Sequence, residues 1–232
     1  MTPTPTSAAA GRHWDAVYQS ADPTRVSWYQ AEPVVSLELI ESAATPTAAA
    51  LIDVGGGASK LVDRLIARGF RDLSVLDVSA RAIASAQSRL GREADSVSWI
   101  RADLLAWRPT RQYDLWHDRA VFHFLVGDAE RELYLSRVRA GVAPGGKVVV
   151  ATFAADGPDR CSNLPVCRYG PDDLVREFGS GFEPIATRRE EHITPGGTIQ
   201  PFTWVVLRHR PWSSGADSRV GRASQSDRDQ VG

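Results

Sequence analysis

The stretch LIDVGGGAS, residues 51–59, decides the fold that we predict for this chain. Its opening residues are apolar around Asp53, which is the pattern of a short buried strand. Three consecutive glycines end that strand, and the apolar residues of segment 60–68 recur at helical spacing. Glycine at such a turn lets a ligand approach the backbone, because a Cβ would block both the turn and the ligand. An ordinary strand-to-helix turn is the alternative for the glycines taken alone.

The next strand and helix add a carboxylate at the position where a nucleoside site needs one. Residues 73–76 are apolar and predict a second strand, Asp77 stands at its end, and a helix is predicted over Ser79 to Leu90. An acidic residue about 20 positions beyond a glycine turn can accept hydrogen bonds from both hydroxyls of a ribose. The glycines do not fit G-x-G-x-x-G, and the sequence has no P-loop G-K-[ST]. Spacing alone therefore predicts a nucleoside site and does not name the ligand.

Residues 53–58, DVGGGA, resemble the first motif of the class I S-adenosylmethionine (SAM)-dependent methyltransferases, an acidic residue followed by G-x-G. The turn APGGK at residues 143–147, before an apolar strand, is also characteristic of this class. The resemblance implies one α/β domain with a Rossmann-like, seven-stranded, mostly parallel sheet, an antiparallel last strand and helices on both faces. It also implies S-adenosyl-L-methionine as methyl donor and S-adenosyl-L-homocysteine (SAH) as product.

The same resemblance assigns the cofactor site to the ends of three strands. Asp53 and the glycines are expected at the methionine end of SAM, and Asp77 at the ribose. A third predicted strand, residues 97–100, leads to Asp103, which is expected to accept a hydrogen bond from the adenine amine while Leu104 packs on the ring. A turn or helix-capping role is the alternative for Asp103. The full set predicted to bind the cofactor is Trp14, Tyr18, Trp28, Asp53, Gly55, Gly56, Gly57, Asp77, Val78, Asp103 and Leu104.

The segment before the first strand carries many aromatic residues. Methyltransferases that resemble this chain have a Trp-Asp-x-x-Tyr-like segment and a later tryptophan that fold over the methionine end of SAM. Trp14, Tyr18 and Trp28 occupy these positions and are predicted to form a lid. A role in which they only pack against the sheet is the alternative.

The end of the predicted fourth strand, residues 113–116, should face the methyl group, since ligands of open α/β sheets bind beyond the carboxyl ends of the strands. The sequence continues as HDRAVFHF, from which His117, Asp118 and His123 are predicted to be catalytic. Histidine accepts a proton near neutral pH, which an alcohol, thiol or ammonium acceptor must lose. Structural packing is the alternative for either histidine. The Asn/Asp-Pro-Pro-aromatic signature, found in many enzymes that methylate exocyclic base amines and glutamine, is absent from this segment.

The last part of the predicted domain contains a long loop and a β-hairpin. The loop, residues 154–169, is expected over the acceptor pocket. Its Cys161 and Cys167 are predicted to be free thiols, and no metal is predicted, because two sulfurs fall short of a closed zinc site. Residues 183–192 and 198–208, joined by TPGG, predict the hairpin that supplies the antiparallel last strand.

Composition and charge restrict the partners and the domain organisation. The 232 residues are 43% hydrophobic, and the formal net charge of −1 argues against binding to nucleic acid or to an anionic membrane. No membrane span or signal peptide is expected, and two cysteines fit a reducing, cytoplasmic location. We predict a methyltransferase domain over residues 12–211, between disordered tails at residues 1–11 and 212–232.

The sequence thus predicts methyl transfer from SAM to a small-molecule nucleophile. Two alternatives stay open. One is a protein lysine methyltransferase, because the Trp-Asp-x-x-Tyr-like opening also looks like that of small seven-strand lysine methyltransferases. The other is a SAM-binding regulator without catalysis. The predicted partner is therefore a small-molecule or protein methyl acceptor, and the sequence leaves the oligomeric state open.

Overall fold

The computed structural model describes residues 7–20, 22–43 and 46–210 of the chain. The strands are β1 (Ala50–Val54), β2 (Asp72–Asp77), β3 (Val97–Arg101), β4 (Tyr113–Arg119), β5 (Val142–Phe153), β6 (Arg160–Cys161), β7 (Leu164–Pro165), β8 (Phe182–Ile193) and β9 (Ile199–His209). The helices are α1 (Ser7–Ser20), α2 (Val34–Ser42), α3 (Leu61–Ala67), α4 (Ala80–Leu90), α5 (Asp128–Gly141) and α6 (Pro171–Phe178).

Seven of these strands form one sheet in the order β3-β2-β1-β4-β5-β9-β8, and β6 pairs with β7 apart from it. The first five strands of that order run parallel to one another. Strand β9 runs antiparallel between β5 and β8. The chain moves outward from β1 to β3 and then returns to the other side of β1 with β4. The carboxyl ends of β1 and β4 therefore border the crevice where open α/β sheets bind ligands.

The sheet is covered on both faces, as a mostly parallel sheet requires. Side chains of β1 alternate between two apolar clusters. Leu51 lies in one cluster with Ile40 of α2, and Ile52 lies in the other with Tyr134 of α5. These four side chains are almost completely buried. This double burial explains why β1 reads as a continuous apolar run interrupted only by Asp53.

The predicted fold is confirmed: the sheet has seven strands, and β9 is the antiparallel strand supplied by the C-terminal hairpin. Two predicted strand boundaries differ. Strand β4 continues to Arg119, so residues 117–119 lie in the strand and not after it. Strand β5 already begins at Val142, and its pairing with β4 is irregular across the APGGK turn, where Gly145 has a φ of +78°.

Helix α1 also differs from the prediction. It begins at Ser7, whereas residues 1–11 are predicted to be disordered. The remaining parts of the predicted tails, residues 1–6 and 212–232, lie outside the described residues. Within the described ranges, none of the helices has both the length and the apolar composition needed to cross a membrane.

Candidate active site

The glycine turn after β1 brings two carboxylates close to the backbone. Gly55 has a φ of +69°, a conformation that favours glycine. A Cβ on Gly56 would lie 2.3 Å from Asp53 Oδ2, and a Cβ on Gly57 would lie 2.4 Å from Asp77 Oδ2. Side chains at these positions would therefore displace both carboxylates. The glycines form a cradle in which the ends of β1 and β2 present their acids side by side.

Asp77, the last residue of β2, is 8% exposed and accepts a hydrogen bond from the Ser79 N–H at 2.7 Å. Burial raises the pKa of its carboxyl group to about 7. The neighbouring Asp53 and Asp15 act in the same direction, and hydrogen bonds from the Ser79 and Gly57 N–H groups oppose it. The existing hydrogen bonds only partly offset the cost of burying the ionised carboxylate. Further hydrogen-bond donors, such as the two hydroxyls of a ribose, would therefore stabilise its ionised form.

The residues predicted around adenine follow β3. The Ala102 N–H donates to the Asp77 carbonyl at 3.1 Å, which places the start of this segment beside the end of β2. Asp103 is half-buried, and its carboxylate accepts the N–H two residues later at 2.9 Å, so it also has the turn role named as the alternative. Leu104 is buried and Val78 is half-buried. Asp103 and Leu104 therefore stay a prediction for the adenine site.

Strands β1 and β4 and helix α2 bring three polar side chains into a buried chain of hydrogen bonds. His117 lies opposite Asp53 in the parallel register, and its Nδ1 is 2.7 Å from Asp53 Oδ1. Its Nε2 is 3.1 Å from the Oγ of Ser36. Because the carboxylate accepts, Nδ1 carries a proton, and in the neutral imidazole Nε2 then accepts from the Ser36 hydroxyl. Asp53 Oδ2 is buried without a hydrogen-bond partner among the described residues.

The three aromatic residues predicted as a lid come together. Trp28 Nε1 donates to the Tyr18 hydroxyl at 3.3 Å. Trp14 packs edge-on against Trp28, with ring centroids 5.6 Å apart, and against Phe124 at 5.2 Å. Tyr18 and Trp28 line a cavity of about 60 Å³ beside the glycine turn. The polar side chains around this cavity belong to Tyr18, Trp28, Tyr29, Gln30, Ser36, Asp53, Ser59, His117 and Arg119.

Helix α1 is attached to the cofactor side of the sheet by Asp15, which the sequence analysis did not single out. Its Oδ1 accepts hydrogen bonds from the Ser79 hydroxyl at 2.7 Å and from the Arg81 N–H at 3.2 Å. The Ser79 hydroxyl in turn accepts the Ala82 N–H and caps α4. Asp15 is the second residue of the Trp-Asp-x-x-Tyr-like segment, and this motif is the feature of the sequence that could have pointed to it.

Of the three residues predicted to be catalytic, only His117 borders the cavity. Side chains of a strand alternate, so His117 and Arg119 share one face of β4 and Asp118 lies on the other. The Asp118 carboxylate is fully buried, and it accepts two N–H groups of the following turn and the Tyr134 hydroxyl. Burial raises its pKa to about 6. Asp118 fastens the turn after β4, so its predicted role on the acceptor side is corrected.

The prediction for His123 is corrected in the same way. Its ring is completely buried, with centroids 4.5 Å from Phe124 and 4.8 Å from Phe153. Burial lowers its pKa to about 3, and the positive charge of Arg119 acts in the same direction. His123 is therefore a neutral packing residue, which was the alternative considered for it.

Both cysteines of the loop after β5 are free thiols, as predicted. Cys161 is buried and Cys167 is half-buried. Burial raises the pKa of Cys161 to about 12, so this side chain is a neutral thiol near neutral pH.

Comparison with known proteins agrees with this geometry. Residues 51–146 match the family model described as a methyltransferase domain, and the match covers the glycine turn, the ends of β2 and β4 and the first four residues of the APGGK turn. Residues 51–146 are thus identified as a methyltransferase domain, and this match together with the fold supports a class I methyltransferase. S-adenosylmethionine is the cofactor of this class, and its product is S-adenosylhomocysteine.

Two curated methyltransferases are similar in sequence. The N-terminal Xaa-Pro-Lys N-methyltransferase 1-A of Xenopus laevis is 26% identical over 152 residues, which are 62% of this chain and 66% of that protein. The aligned region is thus just under two thirds of that relative. Thiocyanate methyltransferase 1 of Arabidopsis thaliana is 25% identical over 171 residues, covering 72% of this methyltransferase and 71% of the relative.

A solved structure shows the same fold. The N-methyltransferase NodS from Bradyrhizobium japonicum WM9, crystallised with SAH, aligns with a TM-score of 0.66 over 86% of this chain and 98% of its own. The sequence identity is 16%, so this likeness concerns the fold.

The residues at the strand ends fit SAM. Asp77 is a buried acceptor of the kind that a ribose diol pairs with. The free Oδ2 of Asp53 is a buried acceptor suited to the methionine ammonium group. Because the turn between these two acids consists of glycines, it leaves open a space beside the carboxylates that a Cβ at Gly56 or Gly57 would occupy.

Proposed function

We propose that this methyltransferase transfers the methyl group of SAM to a small-molecule nucleophile at the carboxyl end of β4. The observation that carries the proposal is the cavity of about 60 Å³ between the glycine turn and β4, covered by Tyr18 and Trp28. The cavity also borders Asp53 and the glycine turn, where the methionine end of SAM is expected, so the space left for the acceptor under Tyr18 and Trp28 suits a compact molecule better than a polypeptide segment.

SAM supplies a methyl group on positively charged sulfur, which is already activated for displacement. A lone pair of the acceptor forms the new bond to the methyl carbon as the carbon–sulfur bond breaks, which leaves SAH. The main work of the chain is then to align the acceptor with that bond, and alignment can supply several kcal/mol, on the order of 7–11 in favourable cases. Tyr18 and Trp28 help by excluding water from the cavity.

An acceptor that is protonated also needs a proton acceptor, and the buried chain of Ser36, His117 and Asp53 can provide one. Ser36 and His117 both border the cavity. The Ser36 oxygen takes the acceptor's proton as its own proton moves to His117 Nε2. Asp53 Oδ1, 2.7 Å from Nδ1, then stabilises the imidazolium ion. Of the residues predicted to be catalytic, His117 keeps this proposed role.

The first test is the ligand that the protein carries through purification. Mass spectrometry should find SAM or SAH, and calorimetry should show that SAH binds more tightly than a nicotinamide dinucleotide. The second test uses SAM with a deuterated methyl group and a cell extract separated into small molecules and proteins. The label is expected in the small-molecule fraction, and label confined to proteins would contradict the proposal.

A polypeptide amine is the second candidate acceptor. It is favoured by the similarity to the Xenopus enzyme, whose name describes methylation of an N-terminal Xaa-Pro-Lys sequence. The similarity to a thiocyanate methyltransferase favours a small acceptor to about the same degree. The labelling experiment separates the two, because the methylated product is either a protein or a small molecule.

A further inference from the structure

Arg119, the last residue of β4, is a buried cation at the cavity. Its side chain is 10% exposed and its guanidinium carbon lies 4.4 Å from the centroid of the Phe202 ring. Nη1 donates to the Trp28 carbonyl at 3.1 Å. Nε and Nη2 are buried, and neither has a hydrogen-bond partner within residues 7–20, 22–43 and 46–210. A guanidinium group carries five N–H donors, so most of its bonding capacity is unused.

The nearest carboxylate compensates this charge only in part. Glu190 Oε2 is 3.9 Å from Arg119 Nε, which is beyond hydrogen-bond distance. Both Glu190 oxygens already accept other hydrogen bonds, from Gln30 Nε2 at 2.7 Å and from Trp204 Nε1 at 2.8 Å. Leaving a buried cation with such incomplete pairing is costly unless something else pairs with it.

The backbone beside Arg119 is also strained. Ala120, the next residue, has a φ of +71°, and its N–H donates to the Ala151 carbonyl at 2.9 Å. A non-glycine residue in this conformation is strained, and such strain is concentrated at binding sites. The strained turn holds the Arg119 backbone in place at the end of the strand.

The position of Arg119 separates it from the ribose acid of the cofactor site. In the sheet, His117 lies between Asp53 of β1 and Val149 of β5. Arg119, by contrast, pairs with Ala151 of β5 and lies beyond the end of β1. Its guanidinium group lies over Phe202 of β9 and near Glu190 of β8. Asp77 belongs to β2, on the far side of β1. Arg119 therefore faces the part of the cavity on the β4–β5 side, while the carboxylates that suit the cofactor lie on β1 and β2.

From these contacts we infer that Arg119 binds a negatively charged group of the methyl acceptor, so that this methyltransferase acts on small anionic molecules. The inference rests on the proposed small-molecule function. The negative charge is either that of the nucleophile itself or that of a carboxylate elsewhere on the acceptor. A planar guanidinium group with two free N–H directions suits both, because it can donate two hydrogen bonds to one anion.

The test is calorimetric titration of the protein–SAH complex with three probes. Thiocyanate represents an anionic nucleophile, mercaptoacetate a thiol with a separate carboxylate, and 2-mercaptoethanol a neutral thiol. The wild-type complex should bind at least one anion and bind 2-mercaptoethanol more weakly. Arg119→Met should weaken anion binding by about 10- to 100-fold, since it removes charge-assisted hydrogen bonds. The control Arg189→Met, which removes an exposed arginine of β8, should leave anion binding unchanged.

A second variant should change anion affinity in the opposite direction, so the test does not depend on whether Arg119→Met folds. Glu190→Gln removes the carboxylate that competes for Arg119. Its amide oxygen can still accept from Trp204 Nε1, and its NH₂ can donate to Gln30 once the Gln30 amide turns over. It should strengthen anion binding by about three- to tenfold. Unchanged anion affinity in both variants would overturn the inference, as would a wild-type complex that binds neither anion.

Measuring the binding of cofactor analogues distinguishes two further possibilities: that Arg119 binds the cofactor instead of the acceptor, and that the protein does not bind SAH at all. If Arg119 pairs with the carboxylate of SAM, Arg119→Met should weaken SAH about tenfold and leave 5′-methylthioadenosine, which lacks that carboxylate, unaffected. That result would overturn the acceptor assignment and leave the methyltransferase function intact. A wild-type protein that does not bind SAH would instead contradict the proposed function itself.

Discussion

Three aspartates of similar sequence context have different surroundings in this protein. Asp53 and Asp118 lie within apolar strands and Asp77 ends one, yet only two of them face the cofactor side. Asp53 has one oxygen bonded to His117 and one without a hydrogen-bond partner in the part of the chain that the structure describes. Asp118 has its oxygens occupied by a turn and a tyrosine. The hydrogen bonds each carboxylate already makes therefore decide which of them can bind a ligand.

Asp77 should contribute strongly to cofactor affinity. We expect Asp77→Ala to weaken SAH binding by about 10- to 100-fold, because a carboxylate pairing with two hydroxyls is lost. Asp72→Ala is the matched control, since Asp72 begins the same strand at its other end and pairs with exposed Arg111. Calorimetry should find wild-type SAH affinity in the control. Equal affinity in both variants would remove Asp77 from the site.

Ser36 tests the proposed proton path. Ser36→Ala breaks the chain before His117 and leaves the pair of His117 and Asp53 in place. Turnover, measured as SAH formation on the acceptor identified by mass spectrometry, should fall by about 10²–10⁴-fold with SAH affinity nearly unchanged. Ser42→Ala is the control on the same helix, because among the described residues Ser42 bonds only the Leu39 carbonyl. Wild-type turnover in Ser36→Ala would mean that alignment alone drives transfer.

At the scale of elements, helix α1 is held over the cofactor side by few polar contacts. Asp15→Ala removes the acceptor for the Ser79 hydroxyl and the Arg81 N–H. The Ser79 cap of α4 stays in place, and each of the two lost hydrogen bonds is worth on the order of 1 kcal/mol at a partly exposed site. We therefore expect SAH to bind several-fold more weakly, and Trp14 and Trp28 to be quenched more readily by acrylamide. Asp22→Ala, which removes an exposed aspartate bonded within its own turn, should change neither. Unchanged quenching in Asp15→Ala would contradict the docking role.

The elements themselves could be predicted because apolar runs, glycines and strand-end acids agreed along the chain. Among the boundaries that differ, the end of the fourth strand matters most for the site: it was predicted at residue 116, three residues too early. With the strand extended to Arg119, alternation turns Asp118 away from the cavity and turns Arg119 toward it. Ser36 had no local signal, because its role comes from His117, 81 positions away in the sequence. Long-range packing of this kind is what a single sequence does not display.

At the scale of the whole molecule, burial of acids and bases links stability to pH and to the cofactor. Asp77 titrates near 3.8 when unfolded and about 7 in the folded protein. Between these two pH values Asp77 is protonated in the folded state and ionised in the unfolded state. Its contribution to the free energy of unfolding therefore falls as the pH rises from about 3.8 to about 7. Asp118, with a folded pKa of about 6, acts in the same direction, and His123, at about 3, acts in the opposite one.

Cofactor binding isolates the contribution of Asp77 from the others. Hydroxyl donors favour the ionised carboxylate, so SAH should bind more tightly as pH rises toward and past about 7. The SAH-induced increase in melting temperature should therefore be larger at about pH 8 than at about pH 5.5. Asp118 and His123 do not border the cavity, so their titration occurs with and without SAH and cancels in the difference. Asp77→Asn should remove this pH dependence while keeping any titration of SAH itself. A wild-type increase that is equal at both pH values, or a slope that persists in Asp77→Asn, would show that Asp77 does not pair with the cofactor.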